Sequence, residues 1–279
     1  MTYRTVATVL THTDLVAPVL DSAETFARAN DAHLEVLAMG VDPSSAGFYY
    51  AGASAMVVEQ SIVRAQETAA AVAAEVRKRL EQSELRWSCD EEMAQLSDLP
   101  RRVADRIRFS DLAILPKPYG EGRGAELEAV VETCLFEGSV PALILPEDAA
   151  YEDAPKRVVV AWNEATEALN AVRAALPLLR GADKVHVVVI DPPSHGPNRS
   201  DPGGMLSQFL ARHDVYVEID VLSKTLPRVA DVLIRHATDM DAEMIVMGAY
   251  GRSRFREAVF GGTTRNMLEN AVLPVLMAH

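Results

Sequence analysis

Short apolar runs and stretches of helical period alternate along this chain, and the alternation is completed twice. A strand followed by a helix cannot meet the next strand through a tight hairpin. It pairs in parallel through a crossover, and helices then cover both faces of the sheet. Val6-Ala7-Thr8-Val9-Leu10 opens the first copy as a strand apolar enough to be buried on both faces. A helix-like run from Val16 to Ala29 and an apolar strand from Leu34 to Met39 follow. The Ala- and Glu-rich run from Val57 to Gln82 predicts a long helix, with Val58, Ile62, Ala65, Ala69, Val72 and Val76 on one stripe. A weak strand at Leu85 to Ser88, a helix from Leu99 to Phe109 and a strong strand at Leu112 to Leu115 come next. A helix around Glu126 to Glu137 and the strand Ala142-Leu143-Ile144-Leu145 close the copy.

The second copy starts beyond the polar linker Pro146 to Pro155. Its predicted strands are Val158 to Ala161, Val185 to Ile190, Val215 to Ile219, Met244 to Met247 and Val275 to Met277. Helices over Glu167 to Leu179, Leu206 to Arg212, Leu226 to Ala237 and Thr264 to Asn270 separate them, and a Pro/Gly-rich insertion at Pro192 to Gly204 matches Gly40 to Ala55 of the first copy. In both copies a proline, Pro141 and Pro274, stands just before the last strand, where it deletes no central ladder bond. The expected fold is α/β, two tandem open parallel-sheet domains over residues 1–148 and 155–279, able to pack as an intramolecular pseudo-dimer. With 279 residues, 49% of them hydrophobic, the chain suffices for two cores of ordinary size.

Forty acidic residues against 27 Lys and Arg give a net charge of -13, a field that attracts cations and resists a nucleic-acid backbone, so no nucleic-acid partner is expected. Cys89 and Cys134 form neither a disulfide framework nor a zinc pattern. The opening residues carry no signal-type apolar region and no run reaches membrane-spanning length, so the expectation is a cytoplasmic protein without a membrane partner. The seven histidines show no standard metal spacing and read as polar surface or individually satisfied side chains, so no metal ligand is assigned.

The strand Met244-Ile245-Val246-Met247 empties into Gly248-Ala249-Tyr250-Gly251, and nine residues later comes Gly261-Gly262-Thr263-Thr264. Glycines at a strand exit followed by a Thr-started helix are a plausible phosphate cradle, because small residues and exposed amides let oxygens approach the backbone. The same glycines also serve as a tight turn or a close helix crossing, and the threonines as helix caps. With Ala161-Trp162-Asn163 and the terminal Pro274-Val275-Leu276-Met277-Ala278-His279, these segments resemble the universal stress protein family in its tandem form. Gly248, Gly251 and Gly261 match that family's spacing of Gly, two residues, Gly, nine residues, Gly; Gly262 departs from it where Ser or Thr is usual.

The resemblance implies a Rossmann-like fold and an adenine nucleotide, ATP, with Mg2+ as its possible companion, across the carboxyl edge of the second sheet. Gly248 and Gly251 would lie near ribose and phosphate, and Gly261, Gly262, Thr263 and Thr264 would present amides or hydroxyls to phosphate oxygens. Asn163, where the family commonly has Asp, would lie near the nucleoside, and Ile190 would frame the base. At the corresponding exit the first copy reads Leu115-Pro116-Lys117-Pro118-Tyr119-Gly120, followed by Glu126-Leu127-Glu128. Prolines remove amides and carboxylates oppose phosphate, so that half is expected to be degenerate for nucleotide binding, and Asp14 there reads as a helix cap. No catalytic constellation and no Walker motif is present. Three functions remain open: a stress-response regulator or sensor whose ATP occupancy modulates conformation or partner association, a weak magnesium-dependent ATP hydrolase, and a nucleotide-independent scaffold for a protein partner. Association of two whole chains as a homodimer is likewise open.

Overall fold

The structure is a computed structural model and describes residues 2–44, 55–147, 149–192, 201–251 and 262–279. The chain divides into two compact units, one built from Tyr3–Val140 and Ala150–Glu152, the other chiefly from Pro141–Ala149 and Asp153–His279.

In the N-terminal unit the order is β1 (Thr5–Leu10), α1 (Val16–Asn30), β2 (His33–Asp42), α2 (Ala55–Leu80), β3 (Trp87–Gln95), α3 (Leu99–Ile107), β4 (Leu112–Pro116) and α4 (Ala125–Leu135). The strands lie in the order β3-β2-β1-β4, and the registers among them are parallel. Val6, Val9 and Leu10 of β1 are fully buried, as are Phe26 of α1 and Val72 and Val76 of α2. Strand β3 runs nine residues, well past the expected end at Ser88, in spite of Asp90, Glu91 and Glu92. It is the edge strand, so its ladder to β2 satisfies the backbone while the acidic side chains face out to Arg77 and Arg106. Asp14 does not cap α1. It is exposed within a single 3-10 turn, Thr13–Leu15, and the residue that caps the helix is Leu15.

The C-terminal unit holds β5 (Ala142–Leu145), β6 (Arg157–Ala161), α5 (Thr166–Leu179), β7 (Lys184–Ile190), α6 (Gly204–Ala211), β8 (Val217–Leu222), α7 (Val229–Asp239), β9 (Met244–Gly248), α8 (Thr263–Asn270) and β10 (Val275–Ala278). Its strand order is β5-β10-β9-β6-β7-β8. All these pairs are parallel except β5 with β10, where Leu143 faces Leu276 in antiparallel register. Chain order puts β5 at the close of the first copy, yet its ladder to β10 gathers it into the second compact unit. Val158 to Val160, Val185, Val187, Val246 and Leu276 form the buried sheet, with Ala171, Val172 and Leu233 packed from the helices. None of the described helices is long and apolar enough to cross a membrane.

Candidate ligand-binding site

From β6 the chain of the C-terminal unit builds outward through β7 and β8 on one side and through β9 and β10 on the other. The loops after β6 and β9 leave neighbouring parallel strands in opposite directions, and a crevice opens between them at the carboxyl edge. A cavity of about 700 Å3 occupies that place. Its walls include Ala161, Trp162 and Asn163 after β6, Val188 and Ile190 of β7, Met247, Gly248 and Gly251 around β9, and Thr263 and Thr264 of α8. Val229 and Leu233 of α7 complete its apolar side.

Six of the eight residues expected at the site therefore line one cavity: Asn163, Ile190, Gly248, Gly251, Thr263 and Thr264. Gly262 is outside the lining and is instead the cap residue of α8, with extended backbone at φ -62 and ψ 158. Gly261 lies outside the described residues, as do Arg252, Arg254 and Arg256. Sequence reasoning did not assign Trp162, Val188, Val229 and Leu233. Trp162 is adjacent to Asn163, but the apolar wall becomes visible only when α7 is laid over β7.

Gly248, Thr264 and Asn163 also have structural duties. A Cβ on Gly248 would fall 2.5 Å from the Ala168 amide nitrogen and 2.7 Å from the Glu167 carbonyl carbon, so the bare backbone is what lets β9 approach the start of α5. Gly251 is roomier: among the described residues a Cβ there comes nearest to the Glu167 carboxylate, at 3.4 Å. Between them Tyr250 holds a left-handed φ of 55°, and its amide donates to the Thr264 hydroxyl oxygen at 2.9 Å. That bond fixes the exit of β9 against the start of α8, a use of Thr264 other than helix capping. Asn163 accepts the Ala165 amide through its side-chain oxygen at 3.1 Å, turning the chain into α5. Asn163 is exposed.

The electrostatics of the two units differ at matching places. The first turn of α8 carries no acidic residue, and its Gly262 cap supplies no side chain to the terminal amides, so within the helix itself nothing offsets its positive end. In the N-terminal unit α4 begins with Glu126 and Glu128 in its first turn. Glu126 faces His12 at 3.8 Å and Glu128 accepts the Tyr119 hydroxyl at 2.5 Å, so that edge presents carboxylates where the other presents amides.

Together the topology and the crevice define an open parallel α/β protein with a cleft at the switch point of its second sheet. Residues 155–279 match the sequence model of the Universal stress protein family. A curated relative, Universal stress protein Slr1230 of Synechocystis, is 26% identical over 92 residues, 33% of this chain. The chain spans only about a third of that relative's length, 31%. Across nearly the whole chain the fold is that of a universal stress protein crystal structure from Archaeoglobus fulgidus, at 16% identity and TM-score 0.69, covering 98% of this chain and 95% of that one. A protein of unknown function from Pseudomonas aeruginosa PAO1 is similar at 15% identity and TM-score 0.60, over 99% and 92% of the two chains.

Proposed function

We propose that the cavity of the C-terminal unit binds an adenine nucleotide, ATP in the first instance, and that occupancy serves regulation in a stress response. The observation that carries this reading is the convergence of six residues, expected together from the sequence, on one cleft at the sheet's switch point. Its volume of about 700 Å3 is in the range of small-molecule sites, which run from roughly 300 to 1,000 Å3. In this reading the base packs against Ile190 and the apolar wall from α7, Asn163 serves the nucleoside, and the phosphates run past Gly248 and Gly251 to the amides of α8. Glu167 beside Gly251 opposes a bare polyphosphate, so Mg2+ travels with the ligand.

Calorimetric titration of ligand-free full-length protein with MgATP tests the reading. Saturable binding that Ile190→Trp weakens by at least about ten-fold, through filling of the base side, is the expected result. Absence of binding by the folded wild-type chain refutes it. Phosphate release measured in the same samples separates a regulator from a hydrolase.

A further inference from the structure

Below the cavity floor, on the same face of the sheet, three metal-ligating side chains from three elements converge. His186 of β7 is only 3% exposed, and its Nδ1 lies 2.8 Å from Oδ2 of Asp220 on β8. The Nε2 of His236 on α7 lies 2.8 Å from the same oxygen. The three potential ligand atoms all lie within 4.8 Å of one another, and the rings meet edge to face at 82°. Neither pair is a product of local chain geometry: 34 residues separate His186 from Asp220 and 16 separate Asp220 from His236.

The matching place in the N-terminal unit shows what such a cluster requires. Ala7 pairs with Glu35 as Val159 pairs with His186, and Leu37 pairs with Asp90 as Val188 pairs with Asp220. Glu35 and Asp90 therefore stand in the first sheet where His186 and Asp220 stand in the second. In the first unit a permanent cation completes the cluster, Arg106, which reaches Asp90 at 3.3 Å and also pairs with Glu92. In the second, among the described residues, the partners of Asp220 are the two imidazoles, and the nearby Lys184 is engaged by Glu218 at 2.8 Å.

We propose that His186, Asp220 and His236 form a binding site for a divalent transition metal of the zinc type, three protein ligands with a fourth position left for water. Imidazole nitrogen with one carboxylate favours zinc, cobalt, nickel or copper over magnesium and calcium, which prefer all-oxygen shells. A divalent ion with one carboxylate and two neutral imidazoles leaves the site about one positive charge, in a chain whose net charge of -13 draws cations. Ligand bonds of about 2.0–2.1 Å in a tetrahedral shell hold the ligand atoms roughly 3.3 Å apart, so each 2.8 Å contact opens by about half an ångström. His186 is fixed in the sheet, and the opening falls on Asp220 and His236, which are 24% and 14% exposed. The metal takes Nδ1 of His186 and Nε2 of His236, and the other nitrogen of each ring then carries the N–H.

The test is a Zn2+ titration of chelator-treated full-length protein at neutral pH against a competing chromophoric chelator, with no nucleotide present, so that the outcome is independent of the nucleotide reading. One saturable Zn2+ per chain is expected, with Mg2+ unable to compete. Asp220→Asn and His236→Gln, each checked for folding by circular dichroism, are expected to weaken binding by more than about ten-fold. Should a variant not fold, diethyl pyrocarbonate labelling of the wild type read by mass spectrometry decides: Zn2+ protects His236, the more exposed of the two rings, selectively. Stoichiometry well below one, affinity unchanged in both folded variants, or no protection of His236 overturns the proposal and leaves a purely hydrogen-bonded cluster.

Discussion

At Thr263 the demands of folding and of ligand binding point in opposite directions, which makes it the most informative residue of the cavity. It is the first residue of α8, after a cap that has no side chain. A carboxylate in that turn interacts favourably with the helix dipole, by about 0.3–1 kcal/mol, yet it repels a phosphate lodged at the same amides. Thr263→Glu is therefore expected to leave the melting temperature of the ligand-free protein unchanged or slightly raised while weakening ATP by about ten-fold or more. Loss of stability, or unchanged affinity, would move the phosphates elsewhere. Asp42 gives a second residue-scale prediction. Burial alone pushes its carboxyl up, but the Ser44 hydroxyl at 2.6 Å, the Ser61 hydroxyl at 2.5 Å and the Ser44 amide at 2.9 Å outweigh that and hold it below the ordinary carboxylate range. A depressed folded-state pKa means stability that is fully present above about pH 3.9, the unfolded value, and lost as pH falls through the folded one. Asp42→Asn should cost about 1–3 kcal/mol at neutral pH and flatten the acid limb of a denaturation-versus-pH series.

At the scale of elements, Gly248 sets the distance between β9 and α5. Adding one methyl there drives a carbon to 2.5 Å from backbone that belongs to a helix start and cannot swing aside as a side chain does. Gly248→Ala is expected to destabilise the protein by about 1–3 kcal/mol in urea denaturation, whereas Gly251→Ala, with the Glu167 carboxylate nearest at 3.4 Å, stays within about 0.5 kcal/mol. Equal costs would show that the strand-helix approach is slack. The glycine spacing made both residues legible in the sequence but left their division of labour hidden, since that depends on where α5 begins in space. The strand-helix alternation was legible for the same reason that it folds: apolar runs of four to six residues between amphipathic stretches admit few other arrangements. Strand β3 was cut short because Asp90, Glu91 and Glu92 mimic a loop, and only its edge position explains them. The His186–Asp220–His236 cluster left no trace in the sequence, because its spacing is set by strand register and not by any local motif.

For the whole molecule, the two units bring different cores and different edges to one chain, and ligand binding should act on them unequally. The repeat and its parallel sheets could be read from the sequence; the antiparallel ladder of β5 with β10 could not, because Ala142 to Leu145 is apolar on both faces and names no partner. That ladder places β5 in the compact unit that also holds the cavity. A nucleotide bound only by the C-terminal unit stabilises that unit by RT ln(1 + [L]/Kd), about 2.7 kcal/mol at a hundred-fold excess over Kd. Hydrogen exchange with and without MgATP reads this directly. Slower exchange is expected in peptides covering β6, the start of α5, β9 and α8, where backbone amides border the cleft, and in β10, whose Ala278 carbonyl accepts the Ala249 amide at 2.8 Å. Peptides covering β1, β2 and α1 should exchange at the same rate in both states, because the residues that line the cleft all belong to the C-terminal unit. Protection concentrated around His12, Glu126 and Glu128 instead would assign the ligand to the first sheet's edge, and the acidic first turn of α4 would then have to be neutralised by the metal that accompanies it.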